Sequence, residues 1–304
     1  MQPKVFIIIL NWNNKEDTRE CILSLRGIDY ENYNIVVVDN ASTDNSVQFL
    51  KANFPDTDML INSENLGYAG GNNVGIRYAL KEKCDFILLL NNDVVVSRDF
   101  LKILVNTAAP TENIGIAGPL IYYHKTQKIN FAGVFFSKKS YEPVIRGYRN
   151  DDAGEFNNAI VDYVSGACIL IKSFLFEYIG LLDEDYFILW EESDFCLRAK
   201  KKGYKSLFIS NSFIWHKESV TFGNNDSPRY LYYSLRNKLL FLKKNVPASR
   251  ILRLKTTISI TRNIIAFLKR HNQGNNLKKA RACFSALCDY YFKKFGKGPD
   301  WLYV

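Results

Sequence analysis

Several groups of residues in this sequence could do chemistry. Three short apolar runs, 5–12, 34–39 and 85–93, end in Asn11-Trp12-Asn13-Asn14, Asp39-Asn40-Ala41-Ser42 and Asn91-Asn92-Asp93. One polar strand end needs no explanation, but three rich in Asn and Asp suit a shared polar ligand, because open α/β sheets bind ligands beyond the carboxyl ends of their strands. Asp93 could be one carboxylate of a hard-cation site bridging a diphosphate; an Asx turn at a strand end would use the same residues. The stretch Asn65–Asn73 contains Gly67, Gly70, Gly71 and Asn72. It reads as a glycine-rich loop before a helix, able to approach a ligand closely and to favour an anion at the helix N-terminus. Glu191-Glu192-Ser193-Asp194 is the densest acidic cluster. Acids in a first helical turn complement the dipole, yet a glutamate partly shielded by the preceding apolar run Tyr186–Trp190 could act as a general base. His216 ends an apolar run and, if beside Asp93, would complete an imidazole–carboxylate pair suited to Mn²⁺ or Mg²⁺.

The elements that must hold these residues alternate in kind. The first half places apolar runs rich in Ile and Val between amphipathic segments at 16–26, 43–54 and 75–83, with Ser42 a candidate N-cap. That order predicts right-handed βαβ crossovers and an α/β domain. In the second half 114–123, 161–172 and 205–216 read as strands, 173–180 and 191–202 as helices, and 141–158 as a loop, so antiparallel strands are expected to join the parallel sheet. After about Gly223 the pattern changes to long basic helices at 229–244, 248–270 and 277–295. The expected organisation is a catalytic domain over 1–222, with halves at about 1–110 and 111–222, and a helical region over 223–304.

Composition narrows the setting. The 304 residues are 47% hydrophobic and 23% charged, which is the range of a folded globular chain. None of the six cysteines forms a C-x-x-C pair, so they read as small buried hydrophobes in a reducing compartment. The N-terminus lacks the pattern of a signal peptide, and no run approaches the roughly 18 apolar residues of a membrane span. The expected location is cytoplasmic. The net charge of +9 is unevenly placed: residues 229–304 hold about seventeen Lys and Arg against about two acids. Two readings of this tail stand side by side. Its cations and apolar faces suit an anionic membrane surface, making the chain peripheral at the inner face of the membrane, or its apolar faces pack on protein, including a second copy in a homodimer. No nucleic-acid-binding module is recognisable, and nucleic acid is not an expected partner.

Two common uses of such a crevice do not fit. The place of a dinucleotide G-x-G-x-x-G is taken by Asn11–Asn14, and no G-x-x-x-x-G-K-[ST] phosphate loop occurs. The same Asn11–Asn14 stretch lacks the basic, glycine-rich loop of a nucleotidyltransferase.

Taken in order, these residues resemble the family 2 glycosyltransferases, which have the GT-A fold. The resemblance runs from about Val5 to Lys244. It is carried by Val36-Val37-Val38-Asp39-Asn40-Ala41-Ser42-Thr43-Asp44, Asn65–Asn73, Leu88–Asp93, Val164-Ser165-Gly166-Ala167, Asp183–Phe187, Glu191–Asp194 before Cys196-Leu197-Arg198, and His216. Tyr232-Tyr233-Ser234-Leu235-Arg236-Asn237 is similar to a segment of the rhamnosyltransferase-like branch.

The resemblance implies a GT-A-type, Rossmann-like mixed sheet flanked by helices, with a C-terminal basic helical extension. It implies that Asn11, Asp39, Asn40, Gly67, Gly70, Gly71, Asn72, Asn91 and Asn92 serve the nucleotide sugar. Asp93, the last residue of a D-x-D-like motif with Asn91 in first place, and His216 would hold a divalent metal, Mn²⁺ or Mg²⁺. Glu192 stands where the family has its catalytic Asp, with Glu191 and Asp194 beside it. The implied reaction is a metal-dependent, inverting single displacement from a nucleoside-diphosphate sugar such as dTDP-rhamnose. The acceptor would be a hydroxyl of a cell-surface glycan or lipid-linked precursor. Galactofuranosyl or other hexosyl transfer remains open, as does a non-catalytic module that binds sugar nucleotide or glycan.

Overall fold

The computed structural model describes residues 2–217, 226–246, 249–270 and 275–303. The expected boundary at 222/223 and the start of the helix expected from Ala248 lie outside the described residues. The chain divides into two compact units, Met1–Leu182 with Phe195–Glu218, and Asp183–Asp194 with Ser219–Val304.

The first unit opens with β1 (Val5–Asn11), α1 (Lys15–Leu25), β2 (Tyr33–Asp39), α2 (Ser46–Asn53), β3 (Asp58–Ile61), α3 (Gly67–Lys81) and β4 (Phe86–Asn91). It continues with β5 (Val94–Val96), α4 (Phe100–Ala108), β6 (Ile114–Tyr123), β7 (Ile129–Phe131), β8 (Val134–Phe136), β9 (Pro143–Ile145), β10 (Ala159–Val161), β11 (Cys168–Lys172) and α5 (Phe174–Ile179). After α6 (Glu191–Lys201), within which the two units divide, comes β12 (Lys205–His216).

The main sheet runs β10-β12-β6-β11-β4-β1-β2-β3. Strands β3, β2, β1 and β4 are mutually parallel, β11 is antiparallel to both β4 and β6, and β12 returns parallel to β6. The mixed sheet expected from the irregular second half is therefore present. Ile7, Ile8, Val36, Val37, Leu88 and Leu89 are buried, as strands covered on both faces require.

Four details differ from the expectation, each for a local reason. The run 161–172 is two strands, broken by a turn at 162–167 where the Gly166 carbonyl accepts a 2.6 Å hydrogen bond from Tyr68. The loop expected over 141–158 contains β9, which pairs with β8. Ser42 does not cap α2. Its hydroxyl accepts from Asn11 Nδ2 and the Asn13 amide, while Asp44 accepts from the Ser46 amide at the helix start. Finally, α3 begins at Gly67, so the glycines expected in a loop lie inside a helix.

The second unit holds α7 (Pro228–Asn245), α8 (Arg250–Lys269) and α9 (Asn276–Tyr291). Its clusters are built from aromatic and small residues, with Phe187 stacked 5.4 Å from Tyr233 and with Ala282 and Ala286 of α9 beside them. Leu239, Ile260, Cys283 and Tyr290 join α7, α8 and α9 in a second cluster. The three basic helices of the sequence reading are thus present.

Candidate active site

The strand ends of the first unit form a connected polar network. The parallel register sets Asn11 beside Asp39, and Asn11 Nδ2 donates to Asp39 Oδ1 at 2.8 Å. The other oxygen of Asp39 accepts from the Ser42 amide at 2.9 Å. Thr18 of α1 donates to Asn11 Oδ1 and accepts from Asn92 Nδ2, linking the first strand end to the Asn91-Asn92-Asp93 turn. Burial without these bonds would cost each group its hydration, so the network sets the shape of this strand-end surface.

Asn40 and the glycine-rich segment have a different geometry from a loop open to a ligand. Asn40 Nδ2 donates to Asn65 Oδ1 and the Gly67 carbonyl, and its Oδ1 accepts from Asn62 and the Leu66 amide. Its amide thus orders the turn that starts α3. A Cβ on Gly71 would lie 2.5 Å from Leu10 Cδ1, and one on Gly75 2.6 Å from Ile8 Cγ2. Close approach is required here by helix-to-strand packing. Gly70 and Asn72 are buried in the same helix, with Asn72 donating to the Tyr68 carbonyl.

Asp93 and His216 are brought together by the sheet. Strand β5 starts at Val94 and pairs antiparallel with β12, with His216 opposite Val94. His216 Nε2 is 3.1 Å from Asp93 Oδ1, and Asn91 Nδ2 is 3.5 Å from the same nitrogen. Two cis ligands of an octahedral ion, each about 2.1 Å from it, would be about 3.0 Å apart. The donor pair therefore fits a small divalent cation, to which it would supply one imidazole nitrogen and one carboxylate oxygen. Among the described residues no cluster of three or more His, Cys, Asp or Glu side chains could hold a metal, so Asp93 and His216 would act as a pair.

Lys217, not singled out from the sequence, follows directly. Its amide donates to the Asp93 carbonyl and its ammonium bridges Asp17 and Glu20 of α1. Burial pulls its pKa down, but the bonds and charges of these two carboxylates outweigh that and hold it above its ordinary value.

The acidic cluster belongs to the second unit. Its approach is a short 3-10 turn, Glu184–Tyr186, followed by Phe187, Leu189 and Trp190 at φ of 62, 70 and 80°. Three bulky residues in the left-handed region are strained and persist only where the surroundings hold them. Here Asn237 Nδ2 lies 2.8 Å from the Tyr186 and Ile188 carbonyls and 3.0 Å from that of Leu189. Arg236, fully buried, donates to the Asp185 and Tyr186 carbonyls and to Asn237 Oδ1, and is itself bonded to Tyr232. The sequence signal for this clamp was a polar pair inside the apolar face of a helix, with Arg236 four residues after Tyr232.

At the start of α6, Glu191 and Glu192 each keep one carboxylate oxygen, Oε2, buried without a hydrogen-bond partner. Burial and then the charge of Glu192 push Glu191 well above the usual carboxylate range. Glu192 is also raised by burial, but the amides of Glu192 and Ser193 and the Glu191 carboxyl favour its charged form. Both carboxyls are thus raised by burial, Glu191 the more strongly, and the amides at Glu192 and Ser193 favour charge on Glu192. Asp194 is set apart from the pair: it accepts from Asn245 at 2.6 Å and from Tyr186 at 3.3 Å.

The mixed sheet flanked by helices is of the GT-A type. The whole chain is similar in fold to the mannosyltransferase PcManGT from Pyrobaculum calidifontis, solved in complex with GDP-Man and Mn²⁺. The TM-score is 0.58 at 13% identity, over 97% of this chain and 88% of that one. Residues 6–180 match glycosyl transferase family 2, and the chain belongs to that family. It is 29% identical over 266 residues to the low-salt glycan biosynthesis hexosyltransferase Agl10 of Haloferax volcanii, covering 86% of this chain and 82% of the relative. It is 25% identical over 296 residues to the dTDP-rhamnosyl transferase RfbF of Shigella flexneri, covering 89% and 94%. The chain is a glycosyltransferase.

Proposed function

We propose that this glycosyltransferase is an inverting, metal-dependent enzyme that moves rhamnose from dTDP-rhamnose to a hydroxyl of a cell-surface glycan or its lipid-linked precursor. The observation that carries the reading is the buried acid pair at the start of α6, where Glu191 and Glu192 each keep one carboxylate oxygen without a hydrogen-bond partner and burial raises both carboxyls. A carboxylate raised toward neutrality by burial is matched to accept a proton from an attacking hydroxyl. The attack forms the new glycosidic bond as the bond to the diphosphate breaks, so no covalent sugar–enzyme intermediate is needed. Asp93 and His216 would hold Mn²⁺ or Mg²⁺, which when bound neutralises charge on the departing diphosphate. Asn11, Asp39, Asn91 and Asn92 are assigned to the donor, whose base and ribose they suit as hydrogen-bonding groups at strand ends. Asp194, bonded to Asn245 and Tyr186, acts on the acid pair only through its charge, which raises Glu191 further.

The donor rests on likeness to the rhamnosyl transferase, which spans nearly the full length of both chains. The hexosyltransferase relative favours a second reading, transfer of another hexose by the same residues. A panel of nucleotide sugars, with nucleoside diphosphate release measured with and without Mn²⁺ or Mg²⁺, separates them. Release from dTDP-rhamnose supports the proposal. Release only from another nucleotide sugar moves the assignment to that donor, and absence of release from every donor with any acceptor overturns transferase catalysis by this chain.

A further inference from the structure

Among the described residues, sixteen large hydrophobic side chains are exposed, and nine of them lie in or next to α8 and α9. Helix α8 has two apolar faces. One is packed: Ile260 is buried, and Ile264 and Phe267 lie against the cluster of Leu239, Cys283 and Tyr290. The other is formed by Ile251, Leu254, Ile258, Ile265 and Leu268, which are 44 to 67% exposed. At helical spacing these five fall within an arc of about 100° on the side away from Ile260.

Helix α9 extends the surface. Leu277, Phe284 and Tyr291 recur every seventh residue and are 56 to 60% exposed. Tyr291 is hydrogen-bonded through its hydroxyl to Thr257 of α8 at 2.9 Å, so the second stripe lies at the edge of the first.

Charge identifies what this face fits. Lys255, Arg262 and Lys269, also seven apart, run along one edge of the α8 stripe, and α8 contains no Asp or Glu. Lys278, Lys293 and Lys294 are exposed around the α9 stripe. A protein partner of matching surface would need both acids and apolar side chains in this register, whereas a bilayer with anionic headgroups offers both at once. No described helix is long and apolar enough to cross a membrane, so the geometry is that of helices lying in the interface. We propose that the outer faces of α8 and α9 form a docking surface for an anionic lipid bilayer, with Ile251, Leu254, Ile258 and Phe284 entering the headgroup–acyl boundary and Lys255, Arg262 and Lys269 meeting the headgroups.

The test is co-sedimentation of the full chain with phosphatidylcholine vesicles and with vesicles containing about one-third phosphatidylglycerol, at low and high salt. Because binding is read without donor or turnover, its failure leaves the transferase reading untouched. Anionic vesicles should carry the protein down, and binding should fall at least tenfold at high salt or without phosphatidylglycerol. The double substitution Ile258→Asp with Ile265→Asp should weaken binding at least tenfold, as should the triple substitution Lys255→Glu, Arg262→Glu, Lys269→Glu. All five positions are exposed, so thermal unfolding should stay near that of the parent and verify folding. Protein that remains in the supernatant with anionic vesicles at low salt overturns the proposal. So does a dimer in solution that the aspartate pair dissociates, since the face is then covered by a second copy.

Discussion

His216 Nε2 lies 3.1 Å from Asp93 Oδ1 because the antiparallel register of β5 and β12 sets His216 opposite Val94. Asp93 lies in the turn directly before β5 and His216 ends β12, so a divalent ion held there would depend on the pairing of these two strands. Asp93→Asn and His216→Ala should each weaken Mn²⁺-dependent nucleotide binding by at least about 10-fold, the low end for loss of groups supporting a metal. Calorimetric titration of dTDP with and without Mn²⁺ reads this directly. Unchanged metal-dependent affinity in both variants would remove the pair from metal binding.

Glu192→Gln keeps the size of the side chain and removes its proton acceptance. Turnover should fall by about 10²-fold or more while donor affinity changes little. Turnover close to that of the parent would exclude Glu192 as the base and direct attention to Glu191.

The raised carboxyls set a pH dependence. Glu192 acts as a base only when ionised, and burial raises its pKa, so the acid limb of the kcat/KM profile should lie above the ordinary carboxylate range. An acid limb at or below about 4.3, the unperturbed glutamate value, would contradict the shielded pair.

Glu191 carries a stability cost of its own. Its folded pKa is raised, so its favourable contribution is complete below the unfolded pKa and is lost as pH rises through the folded value. Glu191→Gln, permanently neutral, should therefore raise Tm at pH 7–8 by about 2–4 °C for each kcal/mol relieved, with the gain vanishing below about pH 4. Thermal scans across pH decide it. A gain that persists unchanged at pH 4 would place the effect elsewhere.

Asn237 donates to the carbonyls of a segment containing three left-handed residues. Asn237→Ala leaves those buried acceptors without their donor and should cost about 1–3 kcal/mol in denaturant unfolding. Gly71→Ala should also destabilise, by about 1–3 kcal/mol, because its Cβ meets Leu10 Cδ1 at 2.5 Å inside a packed helix–strand contact. Wild-type stability in either variant would show that the local contact can relax without cost.

The sequence by itself determined the alternation of strands and helices, the mixed character of the sheet and the three basic C-terminal helices. Those features follow from the period of apolar residues, which is a local property. It also marked the strand ends at Asn11, Asp39 and Asn91–Asp93 and the acid pair Glu191–Glu192, since polar groups directly after apolar runs are conspicuous. Only the tertiary structure decided which of them meet. The pairing of Asp93 with His216 depends on a register between strands more than a hundred residues apart, and no local pattern carries it. The glycines of 65–73 read as a loop because glycine is a poor helix former, yet they lie in α3, where the space beside Leu10 requires glycine at Gly71. Arg236 and Asn237 became intelligible only once their acceptors were seen to be the carbonyls of residues 185–189. Periodicity reports which face of an element is apolar. It does not report what lies against that face, and for α8 the difference separates a packed face around Ile260 from an exposed one around Ile258.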